Sequence, residues 1–233
     1  MIKLSIIIPV FNERGTILRI LKKVEDVKLK NIKKEIIIVD DFSTDGTREV
    51  LKNLKKYKVF FHKKNRGKGA ALRTALKNVT GNIILIQDAD LEYDPNDYPK
   101  LLQPILSGKT EVVYGSRFKS SKGHLKERFF AYKVHSIGNF LLTLITNLIF
   151  FSKLTDMESC YKVFTKKVKE DMTLKSNGFE IEPEITAKIL KNGYAIKEVP
   201  INYYSRDFSE GKKINWKDGI KSLLYLLKYR FLD

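Results

Sequence analysis

Short hydrophobic runs, apolar on both faces, alternate with stretches of helical spacing along the first half of the chain. Runs of about 4–8 apolar residues bounded by polar or turn residues predict buried strands. The predicted strands are residues 4–10, 35–39, 58–62, 83–87 and 111–114. The predicted helices between them are residues 16–24, 47–56, 68–78 and 98–106. Strands that alternate with helices in this way predict right-handed βαβ units, an α/β fold and a mostly parallel sheet.

The pattern changes in the second half, where residues 129–151 are almost entirely apolar and aromatic. Lys133, His135, Asn139 and Asn147 interrupt this apolar segment, so its uninterrupted runs are too short to span a bilayer. The segment is nevertheless more apolar than an ordinary surface helix. Two interpretations stay open at this point: a segment that lies in a membrane interface, or a buried core helix or dimer interface.

The remaining elements alternate between polar loops and amphipathic stretches. Residues 155–164 predict a polar turn that leads into a strand, and residues 178–191 predict a helix ended by Gly193. Pro200 marks residues 196–204 as an edge strand. Residues 119–126 and 205–213 are polar and basic and predict loops, and residues 216–231 predict a basic amphipathic helix.

Composition indicates a globular chain with an anionic partner. The chain has 233 residues, of which 43% are hydrophobic and 30% charged, and this favours one domain over residues 1–233 rather than disorder. Its 44 Lys and Arg against 27 Asp and Glu give a formal charge of +17. Such a charge fits nucleic acid, anionic lipid or phosphorylated substrates, although compositional bias or heat adaptation also explains many single lysines.

The numbers and spacing of cysteine and histidine limit the kinds of metal site that are expected, and the N-terminal residues indicate the compartment. One cysteine, Cys160, excludes an internal disulfide and a cysteine-based metal cluster. The three histidines are not at ligand spacing. Residues 4–10 have only the length of a strand, so no signal peptide is predicted and a cytoplasmic location is expected.

The strongest chemical signal follows the predicted strand at residues 83–87. Asp88 and Asp90 come one residue apart where the strand ends, and Glu92 follows. Alternation along an extended chain puts Asp88 and Asp90 on one side, where both carboxylates can bind a hard divalent cation that bridges nucleotide phosphates. A solvated acidic turn is the alternative.

Two other predicted strands also end in polar residues. Ligands of an open parallel sheet bind at the carboxyl ends of its strands. We therefore expect one pocket lined by the residues that follow three strands, namely Asn12, Glu13, Asp40, Asp41, Asp88 and Asp90.

Four motifs in this region resemble those of family 2 glycosyltransferases. They are PVFNE at residues 9–13, DDFSTDGT at 40–47, NRGKGA at 65–70 and DAD at 88–90. The segments at residues 115–117, 155–162, 209–213 and 216–219 resemble the polyprenyl-phosphate hexose synthases, a group that includes dolichol-phosphate mannose synthase. The resemblance implies a GT-A fold: a Rossmann-like, mostly parallel sheet flanked by helices. Residues 1–117 would bind the nucleotide sugar, and residues 118–233 would bind the acceptor through amphipathic, membrane-facing helices.

The resemblance also implies roles for individual residues on the donor side. Pro9, Phe11 and Glu13 would line the nucleoside pocket, with Glu13 accepting from ribose hydroxyls, and Asp41 would accept from a ring N–H of the base. Asp40 is expected to support the turn instead. Lys68 and Ala89 would also contact the nucleotide sugar. Asp88, Asp90 and Glu92 would hold Mg or Mn on the diphosphate, although many relatives have Gln at the position of Glu92.

On the acceptor side, the implied chemistry needs positive charge rather than a base. A lipid phosphate is already an anion near neutral pH, so direct attack on the anomeric carbon, with inversion, needs no histidine. Arg117 and Arg206 are expected to bind phosphates bidentately and, with Asp90, to be the catalytic residues. Solvated charge is the alternative for both arginines. Weaker candidates for the acceptor phosphate are Lys133, Lys213 and Arg128.

Two further carboxylates stay ambiguous in the sequence. Asp156 could act as a base for other acceptors or could order its loop. Glu182 lies near a predicted helix start, where the helix dipole alone would explain a carboxylate.

The expected activity is transfer of a hexose from a nucleotide sugar to a polyprenyl or dolichyl phosphate at the cytoplasmic face of a membrane. GDP-mannose is the first expectation for the donor and UDP-glucose the second. Attachment to the membrane is expected to be peripheral, with a membrane-anchoring partner or a homo-oligomer as possibilities. The alternatives are transfer to a glycan hydroxyl, a sugar-nucleotide sensor, and a nucleic-acid-binding protein, for which the sequence shows no recognition motif.

Overall fold

A computed structural model describes residues 1–119, 133–206 and 216–232, without the side chains of residues 133–137 and 216–218. Its seven strands form one sheet in the order β3-β2-β1-β4-β6-β5-β7. The strands are β1 (Ile2–Val10), β2 (Ile32–Asp40), β3 (Lys58–Phe61), β4 (Ile83–Ile86), β5 (Val112–Ser116), β6 (Lys162–Thr165) and β7 (Ile196–Pro200). Neighbouring strands are parallel except for β6, which is antiparallel to β4 and β5. The predicted α/β class and mostly parallel sheet are confirmed.

Eight helices are present in the described ranges. They are α1 (Ile17–Asp26), α2 (Thr47–Lys52), α3 (Lys68–Leu76), α4 (Tyr98–Leu106), α5 (Lys133–Phe150), α6 (Lys166–Glu170), α7 (Ile181–Lys191) and α8 (Trp216–Phe231). A single 3-10 turn, Pro95–Asp97, precedes α4. The helix of residues 98–106 and the last helix have the predicted bounds.

The middle of the sheet is apolar on both faces because helices pack against it. Ile6 of β1 pairs with Ile36 on one side and Leu85 on the other, and Ile6 and Leu85 are fully buried. Helix α1 adds Ile20 and Val24 to the same core, at the spacing of one helix face. Burial on both faces explains why β1 and β4 have continuous apolar sequences.

Local hydrogen bonds explain where the structure departs from the predicted bounds. The helix expected over residues 47–56 ends at Lys52, and the Asn53 amide donates to the Glu49 carbonyl at the helix end. Helix α6 was not predicted; it begins where the Thr165 hydroxyl accepts from the backbone N–H of Val168. Gly193 follows α7 with a φ of 78°, as expected of a glycine that ends a helix. Strand β7 is an edge strand, as predicted.

Helices α5 and α8 pack against each other and bury only part of their apolar surface. Their inner residues include Leu142, which packs with Met157, and Leu226, which packs with Ala187 of α7. Exposed apolar residues of the pair are Phe140, Leu141, Leu144, Leu148, Ile220, Leu224, Leu227 and Phe231. The apolar segment is therefore not a fully buried core helix. In the described ranges, no helix combines the length and apolarity needed to cross a bilayer.

Candidate functional site

A cavity of about 800 Å³ opens where β1, β2 and β4 end. The register pairs Val10 with Asp40 and Ile7 with Ile86, so the residues after these strands lie side by side. The cavity is lined by eleven of the predicted site residues: Pro9, Phe11, Glu13, Asp41, Lys68, Asp88, Ala89, Asp90, Glu92, Arg117 and Arg206. The side chains of Lys133, Lys213 and Arg128 lie outside the described residues.

Asp88 and Asp90 lie close together and are mostly buried. Lys68 lies 2.9 Å from Oδ1 of Asp88, and Arg206 Nη2 lies 3.2 Å from Oδ2 of Asp90. Burial, together with the charges of Asp88 and Glu92, raises the pKa of Asp90 to about 7, although Arg206 opposes them. Lys68 and Arg206 therefore do not fully offset the negative charge at this place.

The carboxylate of Glu92, a predicted metal ligand, accepts hydrogen bonds from the segment of residues 203–206. Its Oε1 accepts from the backbone N–H of Arg206 at 2.7 Å, and its Oε2 accepts from the Tyr203 hydroxyl at 3.1 Å. Within residues 1–119, 133–206 and 216–232, no three His, Cys, Asp or Glu side chains are grouped as ligands for one ion. Glu92 thus anchors the segment of residues 203–206, and its role as a metal ligand beside Asp88 and Asp90 stays a prediction.

Arg206 closes the cavity between two strand ends. Its Nη2 lies 3.1 Å from Oε1 of Glu13 as well as near Asp90. Glu13 is 6% exposed and also accepts from the Thr16 hydroxyl. Arg206 is therefore fixed by carboxylates and is not a solvated charge. Glu13, the predicted ribose contact, already has donors on both carboxylate oxygens.

Asp41 is buried beneath the loop that begins α3. It accepts from the backbone N–H groups of Arg66 and Gly67 and lies 2.6 Å from His62 Nδ1. Gly67 has a φ of 92°, and a Cβ there would lie 2.5 Å from the Asn177 carbonyl oxygen, so glycine is required. Asp41 lines the cavity as predicted, but in this arrangement its oxygens hold the loop rather than point to a base.

A buried ion network, which the sequence did not reveal, supports the floor of the site. Glu182 on α7 contacts Lys162 at 2.5 Å and Lys68 at 3.0 Å. Burial would raise the pKa of Glu182, but the two lysines outweigh it and hold the pKa below its usual value. Lys162 is fully buried. Glu182 is therefore a partner of two cations and not only a residue placed by the helix dipole.

Arg117 forms a bidentate pair with Asp156. Nε and Nη2 of Arg117 lie 2.8 and 2.7 Å from the two carboxylate oxygens, and Asn139 donates to the same carboxylate at 2.9 Å. Burial would lower the pKa of Arg117, but Asp156 keeps it well above its usual value. Asp156 is fully buried and has its oxygens occupied, so it orders the loop and is poorly placed to act as a base.

The far wall of the cavity is apolar. Helix α5 contributes Leu141, Leu142 and Ile145, and helix α8 contributes Ile220 and Leu223. Leu141 and Ile220 also belong to the exposed apolar set of the two helices. The cavity therefore runs from charged strand ends to an apolar helix pair at the surface.

Comparison with known proteins identifies relatives along nearly the whole chain. A family model described as Glycosyl transferase family 2 matches residues 5–172. The uncharacterized protein MJ1222 of Methanocaldococcus jannaschii is 34% identical, and the match covers 97% of this chain and 91% of that protein. The glycosyltransferase AglJ of Haloferax volcanii is 30% identical over 97% of this chain and 70% of its own length. The low-salt glycan biosynthesis hexosyltransferase Agl6 of the same organism is 29% identical, and the chain spans 53% of it.

Solved structures share the fold. Glucosyl-3-phosphoglycerate synthase from Mycobacterium tuberculosis, in complex with Mn²⁺, UDP and phosphoglyceric acid, matches with a TM-score of 0.73 and 19% identity. That match covers 100% of this chain and 80% of the other. The same enzyme in complex with Mg²⁺ and UDP matches with a TM-score of 0.73 and 18% identity, over the same shares of the two chains.

Proposed function

The chain belongs to glycosyl transferase family 2 and is a glycosyltransferase that uses a nucleotide sugar, and from this premise we propose that its acceptor is a polyprenyl phosphate. One observation carries the proposal: a single cavity joins the charged strand ends to the apolar helices α5 and α8. The anionic head of a polyprenyl phosphate could pair with Arg117, and its long apolar tail matches the wall that α5 and α8 form.

We assign the donor to the strand ends. Pro9, Phe11 and Asp41 line the part of the cavity that we assign to the nucleoside, and Asp88 and Asp90 the part that we assign to the diphosphate. The pKa of Asp90 is raised by its burial and then by the charges of Asp88 and Glu92, and a buried pair of neighbouring carboxylates fits a divalent cation held by Asp88 and Asp90. Mg²⁺ or Mn²⁺ bound there would act as a Lewis acid on the leaving diphosphate. The solved complexes with Mn²⁺ or Mg²⁺ and UDP support this assignment.

The residues of the chain then position the reacting groups. Arg206, held between Glu13 and Asp90, lies where negative charge develops on the diphosphate. Arg117 lines the same cavity and has 20% of its side chain exposed, so it can contact the acceptor phosphate. A phosphate oxygen attacks the anomeric carbon as the bond to the diphosphate breaks, and the configuration inverts. Since the nucleophile is an anion, the engagement of Asp156 by Arg117 and Asn139 costs the reaction nothing.

The identity of the donor sugar is to be determined by direct assay. The sequence favours GDP-mannose first and UDP-glucose second. The solved structures of the mycobacterial enzyme include complexes with Mn²⁺ and UDP-glucose, and they support UDP-glucose as the donor to test first.

The exposed faces of α5 and α8 support a peripheral position at the cytoplasmic face of a membrane. Residues 140, 144 and 148 of α5 lie along one helix face, as do residues 220, 224, 227 and 231 of α8. Burial of these side chains among lipids, with attraction of a +17 chain to anionic headgroups, would hold the cavity mouth at the bilayer. A membrane-anchoring partner or a second copy could add to this attachment.

A second candidate, transfer to a glycan hydroxyl, is favoured by one specific observation. A hydroxyl nucleophile needs a base, and Asp156 is engaged by Arg117. Glu158, however, lines the cavity, and burial together with the charge of Glu182 raises its pKa to about 7. That value suits a general base near neutral pH. The similarity to Agl6, which is named for low-salt glycan biosynthesis, supports this candidate.

A two-phase transfer assay separates the candidates. GDP-mannose and UDP-glucose, each labelled in the sugar, are incubated with a short polyprenyl phosphate or with soluble glycans, with Mg²⁺ or Mn²⁺ and with or without EDTA. The proposal predicts label in the organic phase only when lipid phosphate and metal are both present. Label that enters only the aqueous glycan products would contradict the lipid acceptor and support the second candidate.

A further inference from the structure

We propose that Glu158 is a specificity-determining residue that accepts hydrogen bonds from hydroxyl groups of the transferred hexose. The inference rests on the proposed nucleotide-sugar reaction and adds a subsite to it. Glu158 lies between α5 and β6, within the segment of residues 155–162, and the sequence indicated no role for Glu158 itself.

The backbone around Glu158 is held firmly, so the side chain has a defined place. The N–H of Glu158 donates to Asn139 Oδ1 at 3.3 Å, and the N–H of Met157 donates to the Thr143 hydroxyl at 3.2 Å. Met157 and Ser159 on either side are fully buried. Glu158 itself is partly exposed and lines the cavity.

One carboxylate oxygen of Glu158 has no hydrogen-bond donor within the described part of the chain. Its Oε1 is buried, and none of the described side chains or backbone groups donates to it. Buried polar atoms in folded proteins nearly always have a partner, so an exception calls for an explanation, such as a role in the reaction or an ordered water or ion. The cavity is the side from which a ligand hydroxyl could supply the donor, after a small rotation of the side chain.

The position of Glu158 relative to the diphosphate indicates which part of the ligand it meets. Lys68 links Asp88 to Glu182. Lys162 links Glu182 to the carbonyl oxygens of Met157 and Ser159, on either side of Glu158. This series leads from the proposed diphosphate position to Glu158, while Pro9 and Phe11 line the nucleoside part. The hexose is attached to the diphosphate at the end opposite the nucleoside. Its hydroxyl groups therefore extend toward Glu158.

The charges around Glu158 favour a neutral sugar hydroxyl over an acceptor phosphate at this position. The groups that act on Glu158 are Glu182, Asp156, Lys162 and Arg117. Lys162 is fully buried and paired with Glu182, so an acceptor phosphate directly beside Glu158 would meet the repulsion of the Glu158 carboxylate. Arg117, with 20% of its side chain exposed, stays the proposed phosphate contact. A neutral sugar hydroxyl can donate to a carboxylate and also accept from the protonated acid. Burial and Glu182 raise the pKa of Glu158 to about 7, so both forms are present near neutral pH.

The test compares binding of a sugar nucleotide with binding of its nucleoside diphosphate. Wild type, Glu158→Gln and Glu158→Ala are titrated calorimetrically with UDP-glucose and UDP, and with GDP-mannose and GDP, in the presence of Mg²⁺. We expect Glu158→Ala to weaken binding of the preferred sugar nucleotide by about 10-fold to 100-fold, the range for a hydrogen bond to a charged group. Binding of the nucleoside diphosphate should change less than about twofold, and Glu158→Gln should lie between.

Controls separate a role in sugar binding from a role in folding. Glu170 is exposed and pairs with Lys166 on the surface, so Glu170→Gln serves as the matched loss of one carboxylate. Since Oε1 of Glu158 has no donor among the described residues, loss of this carboxylate should leave the melting temperature unchanged or raise it. In a panel of UDP-hexoses, Glu158→Ala should also reduce discrimination between epimers.

Several results would overturn the inference. An equal loss of UDP-glucose and UDP affinity would indicate a structural role, and unchanged binding with a large fall in kcat and a lost acidic limb of the pH profile would indicate a base. A change confined to the KM of the acceptor would place Glu158 on the acceptor instead. Wild type that binds no sugar nucleotide more tightly than its nucleoside diphosphate would also overturn it. Failure to transfer sugar to polyprenyl phosphate, with the binding results as expected, would remove the acceptor proposal alone.

Discussion

Helix α1 and the pair α5 and α8 use the same amphipathic pattern with opposite results. Helix α1 buries Ile17, Ile20, Leu21 and Val24 against the sheet and leaves Leu18 as a single exposed apolar residue. Helices α5 and α8 bury an inner face and still expose a row of apolar residues on each helix.

The arrangement of exposed apolar residues therefore distinguishes a helix that only packs in the core from helices that also form a binding surface. Isolated exposed leucines such as Leu18 are ordinary, whereas contiguous apolar surface marks an interaction site. Charge follows the reverse pattern: in the first half of the chain, carboxylates such as Asp88 and Asp90 face the cavity at the ends of buried strands. The two regions meet in one cavity.

The largest expected effect comes from breaking the charged side. Asp90→Ala should reduce transfer by about 10²-fold to 10³-fold or more, because the diphosphate loses a carboxylate that holds the cation. The measurement is transfer of labelled sugar at saturating donor and Mg²⁺, with circular dichroism to check the fold. Asp26, an exposed residue of α1, supplies the control Asp26→Ala. Normal turnover by Asp90→Ala would remove the metal assignment.

A second prediction compares stability between the two kinds of helix. Ile20→Ala should cost about 2–5 kcal/mol in the free energy of unfolding, because Ile20 is fully buried. Leu148→Ala should cost about 0.5 kcal/mol or less, because Leu148 is 65% exposed. Urea denaturation measures both. Similar losses of unfolding free energy in the two variants would mean that Leu148 is packed against other residues of the protein and is not part of an exposed apolar face.

A third prediction concerns the membrane. The double variant Leu148→Ser and Leu224→Ser should bind vesicles of phosphatidylcholine with phosphatidylglycerol about 10-fold more weakly, because exposed leucines supply apolar area to the bilayer. Leu18→Ser, on the exposed side of α1, is the matched control and should bind as wild type. Binding is measured by vesicle sedimentation. An equal loss in the control, or none in the double variant, would contradict docking through α5 and α8.

The smallest expected effect concerns Glu35, a buried carboxylate of β2. It accepts from the Ser5 hydroxyl and the Thr80 backbone N–H and contacts Lys58 at 2.7 Å. Burial would raise its pKa, but Lys58, Ser5 and the backbone of Thr80 hold the pKa far below its usual value of 4.5. A lowered folded-state pKa contributes stability above the unfolded pKa, and that contribution is lost as the pH falls toward the folded value.

Glu35→Gln should therefore lower stability by roughly 1 kcal/mol at neutral pH. The difference from wild type should shrink as the pH is lowered below about 4.5, where the unfolded carboxyl protonates. Urea midpoints measured from pH 3 to pH 7, at about one-unit intervals, provide the test. A constant difference across that range would show that ionisation of Glu35 is not the cause.

The sequence predicted the strands from local pattern and the position of the cavity from where the strands end, although Asn12 and Asp40, which were expected in the pocket, do not line it. The apolar run of β4 ends at Ile86 and is followed by Gln87 and the carboxylates, so its end could be placed to within one residue. The antiparallel direction of β6 could not be predicted, since pairing of Ile84 with Phe164 joins residues that are distant along the chain.

The pairings inside the site were missed for the same reason. Asp156 meets Arg117 across 39 residues, and Glu92 meets the backbone of Arg206 across 114. Neither carboxylate carries a local sign of its partner, so a base role for Asp156 and a metal role for Glu92 stayed open in the sequence. Lys162, placed beside the apolar Val163 and Phe164, was the one signal of a buried charge that needed a partner.

Crystals soaked with MnCl₂ and UDP would show whether Asp88 and Asp90 hold a divalent cation on the diphosphate. Anomalous scattering at the manganese edge should place one ion within ligand distance of Asp88 or Asp90, with the diphosphate bound to it and the uracil toward Pro9 and Phe11. An ion and nucleotide bound elsewhere, with the carboxylates of Asp88 and Asp90 still paired to Lys68 and Arg206, would contradict the account.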